Sequence, residues 1–149
     1  RAGADEGGDM QLGVAPTGEA RKRLEEALTA IDTAESLGSS PDALNLNAKG
    51  NALGLLLQWS DARAAYEASG DAADRSFASI PRSNEALALF ELGSLPEAEK
   101  VARKLIRRDP NFKDGFALLA ALRYAQGDTG GAASSINRLM VASMVRRVK

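Results

Sequence analysis

Residues 84–132 read NEALALFELGSLPEAEKVARKLIRRDPNFKDGFALLAALRYAQGDTGGA, and an interval inside that stretch decides the fold. Ala86 and Ala120 stand 34 residues apart, as do Ala98 and Ala132, and Gly93 and Gly127. Leu105 and Leu139 keep the same 34-residue step, and Gly50 and Ala62 precede Ala86 and Ala98 by 36. Four markers in one register define a unit repeated along the chain, the signature of a stack of similar small units.

Each unit reads as two helices joined by a tight turn. In the second unit, Gly93 breaks the helix that ends at Leu92. Ser94-Leu95-Pro96-Glu97 opens the next, its serine and the glutamate three residues later predicting a capping box, and Asp109-Pro110-Asn111 closes it. In the third, Phe112 to Gln126 is a helix, Gly127-Asp128 the turn, and Ala132 onward the partner helix. The turn of the first unit falls near Gln58-Trp59-Ser60 and has no glycine. Short side chains at the matched positions let paired helices approach: Gly50 near Ala62, Ala86 near Ala98, Ala120 near Ala132. Tyr66, Trp59, Phe90, Leu105, Phe116, Leu119, Ile136 and Leu139 then fill the space between hairpins. One hairpin cannot bury its apolar face, so the units must stack.

Ahead of the repeats, Leu24, Ala27, Leu28, Ile31, Ala34 and Leu37 recur at helical steps and predict an extra helix over 19–37. Gly38 stops it, and Ser40-Pro41-Asp42 restarts the chain with serine as N-cap. Residues 1–18 are rich in glycine and acidic residues and read as a flexible arm. The expected organisation is this arm followed by a repeat domain over 19–149, with repeats at about 43–78, 79–112 and 113–146.

Composition excludes several classes of function. Alanine and leucine dominate the apolar residues, which favours helix over strand. Nineteen basic against twenty acidic side chains give a net charge of −1, so no chain-wide basic field speaks for nucleic acid. The chain has no cysteine and no histidine, which removes thiolate zinc sites, the commonest general base and the commonest transition-metal ligand. No serine lies in a nucleophile elbow and no phosphate loop occurs. Glu25, Glu26, Asp71, Asp74 and Asp109 lie on helix faces or at helix ends, where capping accounts for them. No cofactor and no enzymatic activity are expected. No apolar run reaches the roughly 18 residues of a membrane span. The chain starts at Arg1 rather than Met, as removal of a targeting peptide, or simple trimming, would leave it.

These residues resemble the tetratricopeptide repeat. Phe116-x-x-Leu119-Ala120 is similar to the family's aromatic-x-x-Leu-Gly on the first helix of a unit, and Ala132-x-x-x-Ile136 to its Ala-x-x-x-aromatic on the second. Ala98, Leu105 and Asp109-Pro110-Asn111 agree in the second unit, and Gly50, Trp59, Ala62 and Tyr66 in the first. Departures are visible: Lys49 and Glu85 where the family has leucine, Arg82 where it has a large aromatic, Arg123 where it has tyrosine. The resemblance implies an all-α, right-handed superhelical stack of about seven helices that binds protein partners, as a peptide or helix in its concave groove. More narrowly, residues 84–131 resemble plant and algal plastid repeat proteins associated with thylakoids and the assembly or maintenance of photosynthetic complexes. That implies a chloroplast setting, with a bacterial soluble adaptor of the cytoplasm or periplasm as the alternative.

Four residues are candidates for the groove. Asn47 and Asn51 lie four apart on the first helix of the first unit, Asn84 extends the row, and Tyr124 adds an aromatic contact. Some family members hold the carboxylate of an acidic peptide end with lysine, asparagine and arginine. Here Asn51 and Asn84 match the asparagines, but Asn47 stands at the lysine position and Asp114 and Leu118 where cations are expected. Lys100, Arg103, Lys104, Arg107 and Arg108 form a basic outer face, read either as a solvated surface or as a patch for an acidic partner or an anionic membrane. Arg21-Lys22-Arg23 and Arg146-Arg147-Lys149 are the other basic clusters. Leu139 to Val145 continue the last helix with an apolar face that either packs back or meets a partner. The function expected is a non-catalytic interaction scaffold, with a permanent structural subunit of a large complex as the alternative.

Overall fold

In the computed structural model, which describes residues 14–38 and 42–145 and side chains as far as Arg138, seven α-helices follow one another. They are α1 (Gly18–Ser36), α2 (Ala43–Leu55), α3 (Trp59–Ala72), α4 (Ser79–Glu91), α5 (Leu95–Arg108), α6 (Lys113–Ala125) and α7 (Thr129–Val145). No strand occurs among the described residues. Helices α2 with α3, α4 with α5, and α6 with α7 form hairpins. Packing of α3 on α4 and of α5 on α6 joins them, and α1 lies against α2. The architecture is an all-α helical-repeat solenoid.

One hydrogen-bonding scheme makes all three hairpin turns. The N–H groups of Gln58, Ser94 and Asp128 donate to the carbonyls of Leu53, Leu89 and Arg123, each at 2.9 Å. The preceding residues Leu57, Gly93 and Gly127 donate to Gly54, Phe90 and Tyr124. This arrangement needs a left-handed residue after the helix, supplied by Gly93 (φ 76°) and Gly127 (φ 80°). In the first unit Leu57 adopts φ 60° instead, so the turn forms without a glycine. The same scheme overturns the expected capping box. The Ser94 N–H that Glu97 would accept from is already bonded to Leu89, and the Ser94 side chain makes no cap bond. Pro96 in the first turn, Glu97 near the positive end and Arg107 and Arg108 near the negative end favour α5 without it.

At the start of α2 the cap is Asp42, whose carboxylate accepts from the Asn45 N–H at 2.7 Å. The expected cap, Ser40, lies outside the described residues, as do the arm as far as Gly13 and the basic residues from Arg146 onward. Helix α1 buries no residue fully. Leu24, Leu28, Ile31 and Ala34 of its stripe are half-buried, Ala27 is exposed, and Leu37 falls just beyond its end, in solvent. Arg21, Lys22 and Arg23 pair with Glu25, Glu26 and Glu19 along the helix, which accounts for that basic cluster.

The core divides in two. Leu53, Ala62, Ala65, Tyr66 and Ala88 form one cluster, with Leu28 and Trp59 packed against it. Leu89, Ala98, Ala102, Leu119 and Leu122 form the other, flanked by Phe90 and Ile106. The small matched residues Gly50, Ala62, Ala86, Ala98, Ala120 and Ala132 are all buried. Gly50, however, is overlaid by the ring of Tyr66 rather than by Ala62, so the aromatic sets this spacing. Ile136, expected between hairpins, is instead 47% exposed, with no helix among the described residues covering it. The side chains of Leu139 to Val145 lie outside the described residues.

Candidate functional site

Helices α2, α4 and α6 form the inner layer of the stack. Helix α4 packs directly on α6, while α3 and α5 make no comparable contact. Asn84 on α4 reaches α2, its Nδ2 donating to Asn47 Oδ1 at 3.0 Å. In a curved stack the helices that approach across units are those on the concave side.

The exposed residues of these three helices include only two charges, Glu91 and Asp114. The rest are apolar or neutral. Leu44, Leu55 and Leu87 present aliphatic surface, Ala48, Ala117, Ala121 and Ala125 are open to solvent, and the Tyr124 ring is 71% exposed. Helix α5 of the outer layer is the opposite, with Glu97, Lys100, Arg103, Lys104, Arg107 and Arg108 all exposed. Within the three hairpins, exposed charge is thus concentrated on α5 and sparse on the inner helices.

The expected groove residues separate into two kinds. Tyr124 and Asn51 reach the surface, and Asn51 Oδ1 accepts a hydrogen bond from the Tyr66 hydroxyl at 2.9 Å. Asn47, by contrast, is 7% exposed and holds the amide of half-buried Asn84. This corrects the reading of Asn47 as a group offered to a peptide: its amide joins one unit to the next. Burial and hydrogen bonding to a neighbour outweigh solvation, because an unpaired buried amide would be costly.

The charged departures from the repeat pattern are built into the scaffold. Lys49 Nζ lies 2.6 Å from Asp32 and 3.3 Å from Glu35 on α1. The hydrogen bond to Asp32, with help from Glu35 and against partial burial, raises its pKa. Arg82 reaches buried Glu85 at 2.8 Å and also grips Asp71 on α3. Burial alone would lower the Arg82 pKa, and the two carboxylates outweigh it. Gly70 leaves the space, since a Cβ there would lie 2.6 Å from Arg82 Nε. Arg123 donates to the Gly131 carbonyl at 3.1 Å and to Ser135 Oγ at 3.3 Å, and faces Glu99 at 3.7 Å. Glu99 is pushed up by burial, but Arg103, with Gln126 and Arg123, leaves its carboxyl below the usual carboxylate range. Lys49, Arg82 and Arg123 thus tie their helices to neighbours, and Glu85 pairs with Arg82 within α4.

Of the basic outer face, Arg103 is held by Glu99 at 2.6 Å. Asp74 accepts from the Ser76 hydroxyl and from the backbone N–H groups of Ser76 and Phe77, bonds that lower its pKa and make it a turn residue. No group of three or more histidine, cysteine, aspartate or glutamate side chains is placed to hold a metal ion among the described residues. None of the described helices is long and apolar enough to cross a membrane. The aliphatic groove residues Leu44, Leu55 and Leu87 escaped the sequence reading, because a leucine on an Ala/Leu-rich helix carries no mark of which face it occupies.

No protein-family model matches the chain, and no curated protein matches it. Solved structures do. The fold is similar to that of MamA, with a TM-score of 0.67 at 13% identity over 85% of this chain and 81% of the other. It is also similar to the second TPR of Spaghetti (RPAP3) bound to the HSP90 peptide SRMEEVD, with a TM-score of 0.60 at 18% identity over 83% of this chain and 98% of the other. The fold is therefore tetratricopeptide-like.

Proposed function

We propose that this chain is a protein-interaction scaffold whose concave face grips an uncharged, apolar segment of a partner. The observation that carries this is the exposed surface of α2, α4 and α6, which offers Leu44, Leu55, Leu87 and Tyr124 and no cation. The similar repeat domain described above binds an acidic peptide. Of the four cations on these helices, Lys49, Arg82 and Arg123 are committed to ion pairs within the protein, and Lys113 is half-buried at the start of α6 beside exposed Asp114. A partner with neutral aliphatic or aromatic side chains suits this surface, each large side chain buried contributing on the order of 1–2 kcal/mol.

Selection of a random peptide library on the purified chain tests the reading. Uncharged apolar sequences are expected, and Leu87→Glu with Tyr124→Glu should abolish their binding while the circular dichroism spectrum and melting temperature stay at wild-type values. Enrichment of acidic C-terminal sequences, or binding untouched by the two glutamates, would refute it. The narrower proposal of a thylakoid assembly role rests on the resemblance of residues 84–131 to plastid repeat proteins. A fluorescent fusion of the full-length protein that stays outside plastids refutes that part alone.

A further inference from the structure

A cleft of about 850 Å³ opens on the outer side of the stack, between the C-terminal ends of α3 and α5 and the start of α4. It shares none of the exposed groove residues. Its apolar floor is buried Ala78 and Leu105 with half-buried Val101, and exposed Pro110 lines its edge. Four cations and four carboxylates line it, but they are not matched one to one. Arg82 takes both Asp71 and Glu85. Glu67 pairs with Arg63, which lies outside the cleft, at 3.3 Å. Asp109 accepts from the Ser79 hydroxyl at 2.9 Å. Arg75, Lys104 and Arg108 remain, exposed and without an ion pair among the described residues. Lys104 and Arg108 are one helical turn apart on α5 and belong to the basic face noted in the sequence. The structure gives these two members of that face, and not Lys100, Arg103 or Arg107, a recess to act in.

We propose that this cleft is a second docking site, taking an acidic peptide segment of a protein partner whose aspartate or glutamate side chains meet Arg75, Lys104 and Arg108. The carboxylates in the same recess argue for a peptide rather than a polyanionic surface. A bilayer cannot enter a cleft between two helices, and a densely charged strand would meet Glu67 and Asp109 as well as the cations. A peptide alternating acidic and apolar side chains places its charges on the three cations and its apolar groups on the floor. The volume lies within the range of specific ligand sites.

The test uses a fluorescein-labelled peptide of alternating glutamate and valine, followed by fluorescence anisotropy on the full chain. Saturable binding is expected, weakened at least about tenfold by Lys104→Glu with Arg108→Glu, since two charge-assisted contacts are lost. Lys100→Glu with Arg107→Glu changes the net charge equally on the same helix but away from the cleft, and should leave binding within about twofold of wild type. All four positions are exposed and each pair reverses one of the two arginines in the last turn of α5, so the fall in melting temperature should be small and alike in both variants. Equal loss in the two pairs would mean a diffuse basic face and overturn the assignment. So would absence of peptide binding, binding only when phosphoserine replaces glutamate, or retention on anionic lipid vesicles without peptide affinity.

Discussion

Substituting Gly50 by alanine tests the packing logic of the first hairpin at one atom. A methyl group there would lie 2.5 Å from Cδ1 and Cε1 of Tyr66 and 2.9 Å from Cζ. The ring cannot easily yield. It is 5% exposed, packed among Leu53, Ala62, Ala65 and Ala88, and fixed at its far end by the hydrogen bond to Asn51. Alanine is better than glycine in a helix by about 1 kcal/mol. Against that, overpacking costs ~1–3 kcal/mol, and dislodging the ring forfeits about 1 kcal/mol of hydrogen bond. The net expectation is a loss of about 2 kcal/mol, or roughly 4–8 °C in melting temperature for a chain of this size. Urea and thermal unfolding followed by circular dichroism give both quantities. The decisive arm repeats Gly50→Ala in a Tyr66→Val background, where the side chain ends short of the atoms the methyl meets. There the sign should reverse to a gain of about 1 kcal/mol, a coupling of about 3 kcal/mol between the sites. A stabilising Gly50→Ala in the wild-type chain, or the same loss in both backgrounds, refutes the reasoning.

Three further outcomes follow from the same structure. Arg82→Met leaves the buried Glu85 carboxylate unpaired and should cost about 3 kcal/mol in chemical denaturation, whereas Arg82→Met with Glu85→Leu, an apolar pair, should recover most of it. Gly93→Ala meets no atom within 4 Å, so its cost is backbone strain alone; about 1 kcal/mol is expected, and pairing it with Gly127→Ala should roughly double the loss in the same assay. Burial pushes the Tyr66 hydroxyl up to about 12, above its usual value near 10. The unfolded chain therefore ionises first. The contribution is fully present below about pH 10 and is lost as pH rises through 12, by about 2–3 kcal/mol. Denaturation midpoints measured across that window should fall less for Tyr66→Phe than for wild type.

The sequence alone carried the repeat. Its period, the hairpin division and the burial of Gly50, Ala86, Ala98 and Ala120 are written in local spacing, because helical periodicity and turn chemistry act over a few residues. It also marked Lys49, Arg82, Glu85 and Arg123 as out of pattern, without their partners. Those partners were decided by tertiary structure. Asp32 lies 17 residues from Lys49, and Asp71 lies 11 from Arg82 on the preceding helix. Stacking brought them together, and the partial burial of Lys49 and Arg82 then favoured pairing. The same holds for the surfaces. Asn47 and Asn51 look equivalent in sequence, yet the curvature of the stack buries one against Asn84 and leaves the other at the groove. Lys104 and Arg108 are indistinguishable from Lys100 and Arg107 until α3 and the start of α4 build a cleft beside them. Periodicity fixes which residues must be inside; only the packing of one hairpin on the next decides which of the remainder share a surface.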